Sequence, residues 1–321
     1  MNSLSFEFED EVIDCILQYN PKVAINHTEL VGKTVHVYEK KLVFHLLPIP
    51  FTGIDPAYFQ EKSLEYASRG IQLVHLWQDG WTVCQEIVRS RIAALSGSGV
   101  RIHARKTEVR RIAKEEMRSF FAANHLQGAV NARYSYGLYA GGQLVAVASF
   151  SAGRTVVRGG VAGRSFELLR YASLLHHRVV GGLGKMIARF IEEINPDDIM
   201  TYADLDWASG KGYRTLNFRQ TAVTPPQTFW IHPAGMIRYY PHRLPPQLTD
   251  EFRLQDNYVN MDDFLKDKGY FKIYNAGNLK YLLICRDAAC HVSTATMPHP
   301  PAKMAEKRLK NGLAQNMYQT E

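Results

Sequence analysis

Cysteine is scarce in this chain, and long apolar runs do not occur in it. Four cysteines among 321 residues are too few for a disulfide framework, which indicates a reducing compartment. No apolar stretch approaches the roughly 20 residues that span a bilayer, so we expect no membrane partner. The first residues are acidic and lack a basic segment followed by an apolar one, so we expect no secretory signal. Together these absences predict a cytoplasmic protein.

Negative charge is also in short supply. Lys and Arg total 38 against 31 Asp and Glu, a formal net charge of +7, and such a surplus is typical of proteins that bind polyanions. Hydrophobic residues make up 46% and charged residues 21%, which is ordinary for a folded protein and excludes a disordered chain. At roughly 100–200 residues per domain, the length predicts about two domains.

Breaks in composition divide the chain into three predicted parts. The clearest break is a Ser-Gly stretch at residues 95–100, and Pro-rich pieces between 224 and 301 mark loops and the start of a tail. We expect an N-terminal domain at 1–98, a second domain at 99–235, and a C-terminal appendage with a flexible tail at 236–321.

Apolar periodicity in the first part predicts alternating strands and helices. We expect a strand at 33–47, a helix at 56–69, a buried strand at 71–77 and a helix at 86–95. This order is typical of a unit that buries a mixed sheet.

The rest of the chain shows the same alternation. Gly141 and Gly142 separate two apolar runs, as in a two-residue hairpin turn. The other predicted elements are an amphipathic helix at 107–124, strands at 134–139, 143–150, 166–172 and 199–204, a helix at 184–194, a short helix at 212–216 and a terminal hairpin at 271–274 and 279–285. We therefore assign the chain to the α/β (α+β) class.

A glycine-rich loop between a predicted strand and a predicted helix gives the sharpest chemical signal. Its sequence is RVVGGLGK, residues 178–185. Glycines let backbone N–H groups approach an anion, and a helix N-terminus adds partial positive charge. The loop predicts a pyrophosphate site; a turn that only packs the helix on the strand is the alternative. The candidate binding residues are Arg178, Val180, Gly181, Gly182, Gly184 and Lys185.

Several polar and aromatic residues stand where α/β proteins place functional groups. Asp204 and Asp206 follow a predicted strand, and ligands bind at the carboxyl ends of such strands. His125 follows a predicted helix, and we assign it as a base or an orienting group beside the group that reacts. Trp207 is a candidate for stacking on an extruded base. Loop capping for the carboxylates, and core packing for His125 and Trp207, are the structural alternatives.

Basic residues concentrate in two stretches. Guanidinium groups bind phosphate bidentately, so the stretches favour contacts to nucleic acid, with a solvated surface as the alternative. The DNA-binding candidates are Arg105, Lys106, Arg110, Arg111, Arg154, Arg158 and Arg170. Cys285, Cys290 and His291 have a spacing unlike that of zinc sites, so we expect no metal.

A segment downstream of the glycine loop completes a resemblance. Tyr213-x-x-Leu216-Asn217-Phe218, together with the loop, resembles the GNAT superfamily of acyl-CoA-dependent transferases. The resemblance implies that the loop binds the pyrophosphate of acetyl-CoA or another acyl-CoA, and that Tyr213 is catalytic beside the cofactor sulfur. Asn217 stands where that family usually has glycine, and the glycine spacing of the loop also differs.

Motifs spread over residues 100–285 resemble a narrower group. They are Asn124-His-Leu-Gln-Gly128, Glu167-Leu-Leu-Arg170-Tyr171, Tyr202-Ala-Asp204 and Lys272-Ile-Tyr274, in that order. The series resembles the C-terminal half of phage proteins labelled Hef-like homing endonucleases, which is GNAT-like and similar to Mom-type DNA-modification proteins. The resemblance implies a phage or mobile-element protein that acts on DNA in the bacterial host cytoplasm.

The N-terminal part resembles the end of a very-short-patch-repair nuclease domain. The matching segments are Gly70-Ile-x-Leu-Val-His75-Leu-Trp-Gln-Asp79-Gly-Trp81 and Glu86-Ile-Val-x-Ser-Arg91-Ile. In such PD-(D/E)XK nucleases two neighbouring strands carry an Asp and a Glu that hold Mg²⁺, whereas the matching strands here carry His36 and His45. The resemblance implies a degenerate nuclease fold that still grips DNA or serves as a scaffold.

Three functions fit these features. The favoured one is a GNAT-like N-acyltransferase that modifies an amino group on a nucleobase in DNA and protects a phage or mobile genome from restriction. Its catalytic residues are Tyr213, Asp204 and His125, and Trp207 and Arg170 contact the substrate. The alternatives are a homing-type endonuclease and a non-catalytic DNA-binding relic.

Overall fold

A computed structural model describes residues 3–26, 30–51, 53–255 and 258–286 of the chain. The α-helices in those ranges are α1 (Ser3–Tyr19), α2 (Ala57–Ser68), α3 (Gln78–Leu95), α4 (Lys114–Asn124), α5 (Gly182–Ile194), α6 (Lys211–Arg214), α7 (Pro246–Arg253) and α8 (Met261–Asp267). The strands are β1 (Ala24–Asn26), β2 (Lys33–Val37), β3 (Leu42–Leu47), β4 (Gln72–Trp77), β5 (Val100–His103), β6 (Glu108–Arg111), β7 (Tyr134–Ala140), β8 (Gln143–Phe150), β9 (Arg154–Arg158), β10 (Val161–Ser173), β11 (His177–Val180), β12 (Asp198–Asp204), β13 (Arg219–Thr224), β14 (Thr228–His232), β15 (Ile237–Tyr239), β16 (Phe271–Tyr274) and β17 (Asn278–Ile284).

A four-stranded sheet with helices on both faces forms the N-terminal part. Its order is β1-β2-β3-β4, with antiparallel pairs except for the parallel pair β3–β4. On one face Phe44 and Val74 pack with α1 and α3, whereas Phe59 of α2 lies on the other face. Because both faces are covered, β3 is buried along its whole length.

A larger mixed sheet carries most of the second part. Its order is β13-β17-β12-β10-β8-β7-β6, and β9 pairs with β10. The predicted hairpin at Gly141 and Gly142 is confirmed: both glycines have positive φ, as a type I′ turn requires. Helix α5 crosses from β11 to β12 and buries Phe190, whose ring stacks on that of Phe150 at 4.0 Å.

Strands β10 and β12 lie parallel, but they pair over only three residues. The register joins Ser165–Glu167 to Asp198–Met200, and the Thr201 hydroxyl donates to the Leu168 carbonyl as the last link. Beyond that point β10 pairs only with β8, with a register shift between Leu168 and Arg170. The carboxyl halves of the two strands therefore separate, which opens a cleft in the sheet.

Three predicted elements are wrong. The single strand expected at 33–47 is the antiparallel pair β2 and β3, joined by a 3₁₀ turn at Tyr38–Lys40. Residues 107–124 are not one helix: a 3₁₀ turn at Ala104–Lys106 leads into β6, and only α4 is helical. The charged residues of this segment recur with a helical period, which is why a helix was predicted. The first part of the segment forms β6 because its backbone pairs with β7, and the period does not reveal that pairing. The predicted terminal hairpin also fails, because β16 pairs with β14 while β17 lies between β12 and β13.

The predicted α/β class with mixed sheets is confirmed. The described residues up to Cys285 belong to one compact unit, and the boundaries proposed at 98 and 235 stay a prediction. No helix among the described residues is long and apolar enough to cross a membrane.

Candidate active site

A cleft of two lobes opens where β10 and β12 separate. Each lobe has a volume of about 550 Å³. The first lies between the two strands and reaches Tyr213, and the second extends towards α3 and the β14–β15 hairpin. The lobes meet at seven shared residues: Leu126, Gln127, Arg170, Asp204, Gln227, Tyr240 and Asn278.

Asp204 ends β12 at the junction of the lobes. Its carbonyl accepts from the N–H groups of Trp207 and Ala208, so the chain turns sharply there. One carboxylate oxygen accepts from the Asp206 N–H at 3.0 Å, and the other lies 3.4 Å from the Gln127 amide nitrogen. Asp204 therefore both caps the turn and lines the cleft.

Asp204 and Asp206 influence one another. Burial raises the pKa of Asp204, although the hydrogen bond from the Asp206 N–H opposes that rise. Burial and the neighbouring Asp204 charge raise the pKa of Asp206 well above its ordinary value. Asp206 is 5% exposed and accepts from the Ala276 N–H at 2.7 Å, so it supports the turn, whereas Asp204 faces the cleft.

His125 also lines the cleft, but its environment keeps it neutral. Burial, together with the positive charges of Arg170 and Arg91, lowers its pKa to about 3. Its Nδ1 accepts from the Gln127 N–H at 3.1 Å, so in the neutral ring the proton belongs on Nε2. His125 is therefore a hydrogen-bond donor in this site and a weak base.

Tyr213 lies in α6 and lines the first lobe. Its ring packs 5.5 Å from that of Tyr281 and 5.6 Å from that of Phe218. Burial raises the pKa of its hydroxyl, so Tyr213 is protonated at neutral pH. The predicted residues Tyr213, Asp204, His125 and Arg170 are thus brought together in one cleft.

A second arginine in the first lobe escaped the sequence analysis as a site residue. Arg91, from α3, places its guanidinium 4.8 Å from the centre of the Trp207 ring. Burial lowers the pKa of both Arg91 and Arg170. Only tertiary packing brings α3 to this cleft, so no local motif marks Arg91.

The second lobe is bounded by an ion pair that the sequence analysis also missed. Arg238 of β15 donates to both carboxylate oxygens of Asp79, at 2.7 and 2.8 Å. Asp79 is 4% exposed and follows β4, so this pair joins the N-terminal part to the β14–β15 hairpin. Trp207 lines the same lobe and packs against the core shared by α1 and α3.

The glycine loop lies beside this cleft but does not line either lobe. Gly181 caps α5 with φ +77°. A Cβ at Gly182 would lie 2.8 Å from Val179, and one at Gly184 would lie 2.9 Å from Leu216, so these glycines let α5 sit tightly on its neighbours. Leu216 follows Tyr213 by three residues, which links the start of α5 to the catalytic candidate.

The remaining loop residues have different surroundings. Arg178 and Val180 are exposed on β11. The Lys185 amine instead donates to the backbone carbonyls of Ala104 and Thr107. Its charge is therefore held by the 3₁₀ turn before β6.

The predicted DNA-binding residues outside the cleft lie on two surfaces. Arg105 and Lys106 are exposed in the 3₁₀ turn, whereas the neighbouring residues on β6 are held by carboxylates: Arg110 by Glu108 at 2.5 Å, and Arg111 by Glu193 at 2.6 Å. On β9, Arg158 pairs with Asp198, and Arg154 lies against the Met200 sulfur.

The histidines at the nuclease-like positions are not arranged alike. His36 of β2 lies 3.1 Å from the Thr34 hydroxyl. His45 of β3 is fully buried, and its Nδ1 lies 3.0 Å from Nδ1 of His75 on β4. Burial lowers the pKa of His45 to about 4 and that of His75 well below its ordinary value. Both rings are therefore neutral members of the core.

The described residues contain no group of three or more His, Cys, Asp or Glu side chains that could hold a metal ion. Cys285 is half-buried, and burial raises the pKa of its thiol to about 12. Cys290 and His291, the other members of the spacing considered for zinc, lie outside the described residues.

No family model and no curated protein matches the chain. Among solved structures it is similar to Eis1 from Mycobacterium abscessus (17% identity over 39% of this chain, TM-score 0.31), of which it spans only 33% of the length. It is also similar to a GNAT family acetyltransferase from Brucella melitensis in complex with acetyl-CoA (17% identity, 35% of this chain and 82% of that one, TM-score 0.27). A third similar structure is a Bacillus subtilis acetyltransferase in complex with CoA (13% identity, 56% and 99%, TM-score 0.30). At TM-scores this low, only the geometry of the cleft can support a function for this chain.

Proposed function

We propose that this chain is a GNAT-like N-acyltransferase that uses acetyl-CoA or another acyl-CoA to modify an amino group on a nucleobase in DNA. The observation that carries the proposal is the opening between the parallel strands β10 and β12, with Asp204 at its mouth and Tyr213 across it. Such an opening can take the extended arm of an acyl-CoA, and strand carboxyl ends are where α/β sheets bind ligands.

The start of α5 fits the pyrophosphate of that donor. The exposed Gly181 begins the helix, and the first N–H groups of a helix have no intrahelical acceptor. Arg178 supplies an exposed guanidinium on the preceding strand. Lys185 is not part of this site in our proposal, because its amine is held by backbone carbonyls.

The side chains of the cleft fit the proton transfers of acyl transfer. An acyl-CoA supplies a thioester carbonyl, to which a neutral amine adds, so that a C–N bond forms and the C–S bond breaks. Asp204 takes the proton that the amine loses, because its raised pKa makes it a stronger base than an ordinary aspartate. Tyr213 gives its proton to the departing sulfur, and His125 donates a hydrogen bond in the cleft instead of acting as the base.

DNA is the proposed acceptor because arginine and aromatic side chains line the cleft. Arg170 and Trp207 face the lobes, and Arg105 and Lys106 are exposed next to β6. A base extruded from the duplex needs a stacking partner and phosphate contacts on either side.

A matched pair of variants at Gly181 tests the donor site. Asn and Asp both tolerate positive φ and differ in charge, so Gly181→Asn controls for shape while Gly181→Asp places a carboxylate beside the pyrophosphate. By calorimetry with acetyl-CoA, we expect the wild type and Gly181→Asn to bind, and Gly181→Asp to bind at least about tenfold more weakly. A wild-type protein without affinity for any CoA thioester would refute the donor assignment.

A further inference from the structure

Two arginines from different parts of the chain converge on the first lobe of the cleft. Arg91 comes from α3 in the N-terminal part, and Arg170 comes from β10 directly after its register shift. Both are half-buried, and the Nε atom of each is buried without a hydrogen-bond partner within the described residues. Buried donors of this kind are rare in proteins and call for an explanation.

The protein itself does little to satisfy these guanidinium groups. Arg170 donates one hydrogen bond, to the Leu169 carbonyl at 2.9 Å. Arg91 lies over the Trp207 ring, and in the described part of the chain it forms neither a hydrogen bond nor an ion pair. Removing a positive charge from water without a partner raises the free energy of the protein, and a bound anion would offset part of that rise.

The carboxylates that face the same lobe attract the two arginines electrostatically, but within the described residues they form no hydrogen-bonded ion pair with them. They are Asp204 and Glu167, and burial raises the pKa of both. Neither forms an ion pair with Arg91 or Arg170 in the described residues. Two guanidinium groups without a bonded carboxylate among the described residues therefore line the first lobe, and guanidinium groups bind phosphate well.

We propose that Arg91 and Arg170 form a phosphate subsite for the acceptor, which fixes a phosphate group of the nucleotide while its base amine reaches Asp204. This inference rests on the proposed function for the identity of the acceptor. It gives the N-terminal part a role in the active site, because α3 supplies one of the two arginines. The pyrophosphate of the donor is placed elsewhere, at the start of α5, which does not line the lobe.

The subsite is tested with the full chain and three probes: inorganic phosphate, a deoxynucleoside 5′-monophosphate and a short single-stranded oligodeoxynucleotide. We expect Arg91→Gln and Arg170→Gln each to weaken binding of the probes about 10- to 100-fold, since each removes charged hydrogen bonds. Arg91→Lys should recover part of the affinity by keeping the charge. The oligonucleotide binding more tightly than the mononucleotide would identify a phosphodiester in a strand as the ligand, and the reverse order would identify a free nucleotide.

Two matched controls come from the same elements. The first control is Arg89→Gln, because Arg89 lies on α3 but stacks on Trp81 outside the first lobe. The second is Arg164→Gln, because Arg164 lies on β10 over the Phe166 ring. Neither control should weaken phosphate binding. Thermal melts of all variants should be close to that of the wild type, because Arg91 and Arg170 are not held by ion pairs in the described residues.

Acetyl-CoA titrations of the same variants separate this inference from the proposed function. Retained phosphate affinity in Arg91→Gln and Arg170→Gln would overturn the subsite even if acetyl-CoA binds. A parallel loss of acetyl-CoA affinity in these variants would also overturn it, by assigning the arginines to the donor. Failure of the wild type to bind acetyl-CoA, with phosphate binding still dependent on both arginines, would overturn the proposed function and leave the subsite intact.

Discussion

Burial at the level of single residues sets the chemistry of this cleft. It keeps the Tyr213 hydroxyl protonated, removes the positive charge of His125 and makes the Asp204 carboxylate a stronger base. In the proposed mechanism, these three effects make Tyr213 the acid, His125 a hydrogen-bond donor and Asp204 the base.

Replacing Tyr213 by Phe tests the acid. The change removes one hydroxyl and keeps the ring between Tyr281 and Phe218, so we expect little effect on the melting temperature. Turnover should fall by about 10²- to 10⁴-fold, the usual value of general acid catalysis. The rate is measured as release of the CoA thiol from acetyl-CoA in the presence of DNA. An unchanged rate in the variant would show that Tyr213 is not the acid and only packs in the core.

The pH dependence of turnover tests the base. Asp204 acts when ionised, and its folded-state pKa is raised, so the rate should climb as pH rises through a value above that of an ordinary aspartate. The two neighbouring carboxyl groups titrate together, so this rising limb of the pH–rate profile gives an apparent pKa of the Asp204–Asp206 pair. Asp204→Asn should be nearly inactive and lose the limb, whereas His125→Gln should keep it. A limb that disappears with His125 instead would reverse the assignment.

At the scale of single elements, the sequence predicts those that local signals determine and misses those that distant partners determine. Helix α2 and the β7–β8 hairpin follow from local signals, namely the stop at Gly70 and the two glycines of the turn. Strand β6 was missed because its neighbour β7 decides its conformation. Strand β17 was predicted, but its pairing was wrong because its partners are distant in sequence. Arg91 was missed for the same reason: α3 meets the cleft only through tertiary packing.

The 3₁₀ turn before β6 gives the sharpest test of DNA binding. Arg105 and Lys106 are exposed there, whereas Arg110 and Arg111 are already held by carboxylates. We expect Arg105→Gln with Lys106→Gln to lower the slope of log affinity against log salt by about 2, because each phosphate contact contributes about 0.9. Lys266→Gln, on the exposed side of α8, serves as the control. Equal slopes in both proteins would make the turn an ordinary solvated surface.

At the scale of the whole molecule, polar contacts tie the N-terminal part to the strands and turns around the cleft. The His75 N–H donates to the Asp206 carbonyl at 2.8 Å, the Gln72 amide donates to the Trp207 carbonyl at 2.9 Å, and Arg238 grips Asp79 with two hydrogen bonds. The turn that holds Asp204 is thus braced by the N-terminal part of the chain.

Breaking the Asp79–Arg238 pair tests that bracing. Asp79→Asn leaves the Arg238 charge without its partner in a largely buried position, so we expect the free energy of unfolding to fall by about 3 kcal/mol. Glu65→Gln breaks an exposed pair with Lys62, which solvent screens, and should leave the free energy of unfolding almost unchanged. Urea titrations give both values, and similar small losses would mean that the pair contributes little to the bracing.

Acyl transfer to DNA is the central claim, and mass spectrometry of nucleosides tests it most directly. The protein is incubated with DNA from its own source and isotopically labelled acetyl-CoA, and the DNA is then digested to nucleosides. We predict one nucleoside that carries the labelled acetyl group and is missing when Tyr213→Phe or Asp204→Asn replaces the wild type. Labelled acetyl-CoA that binds to the protein while every nucleoside stays unlabelled would contradict DNA as the acceptor.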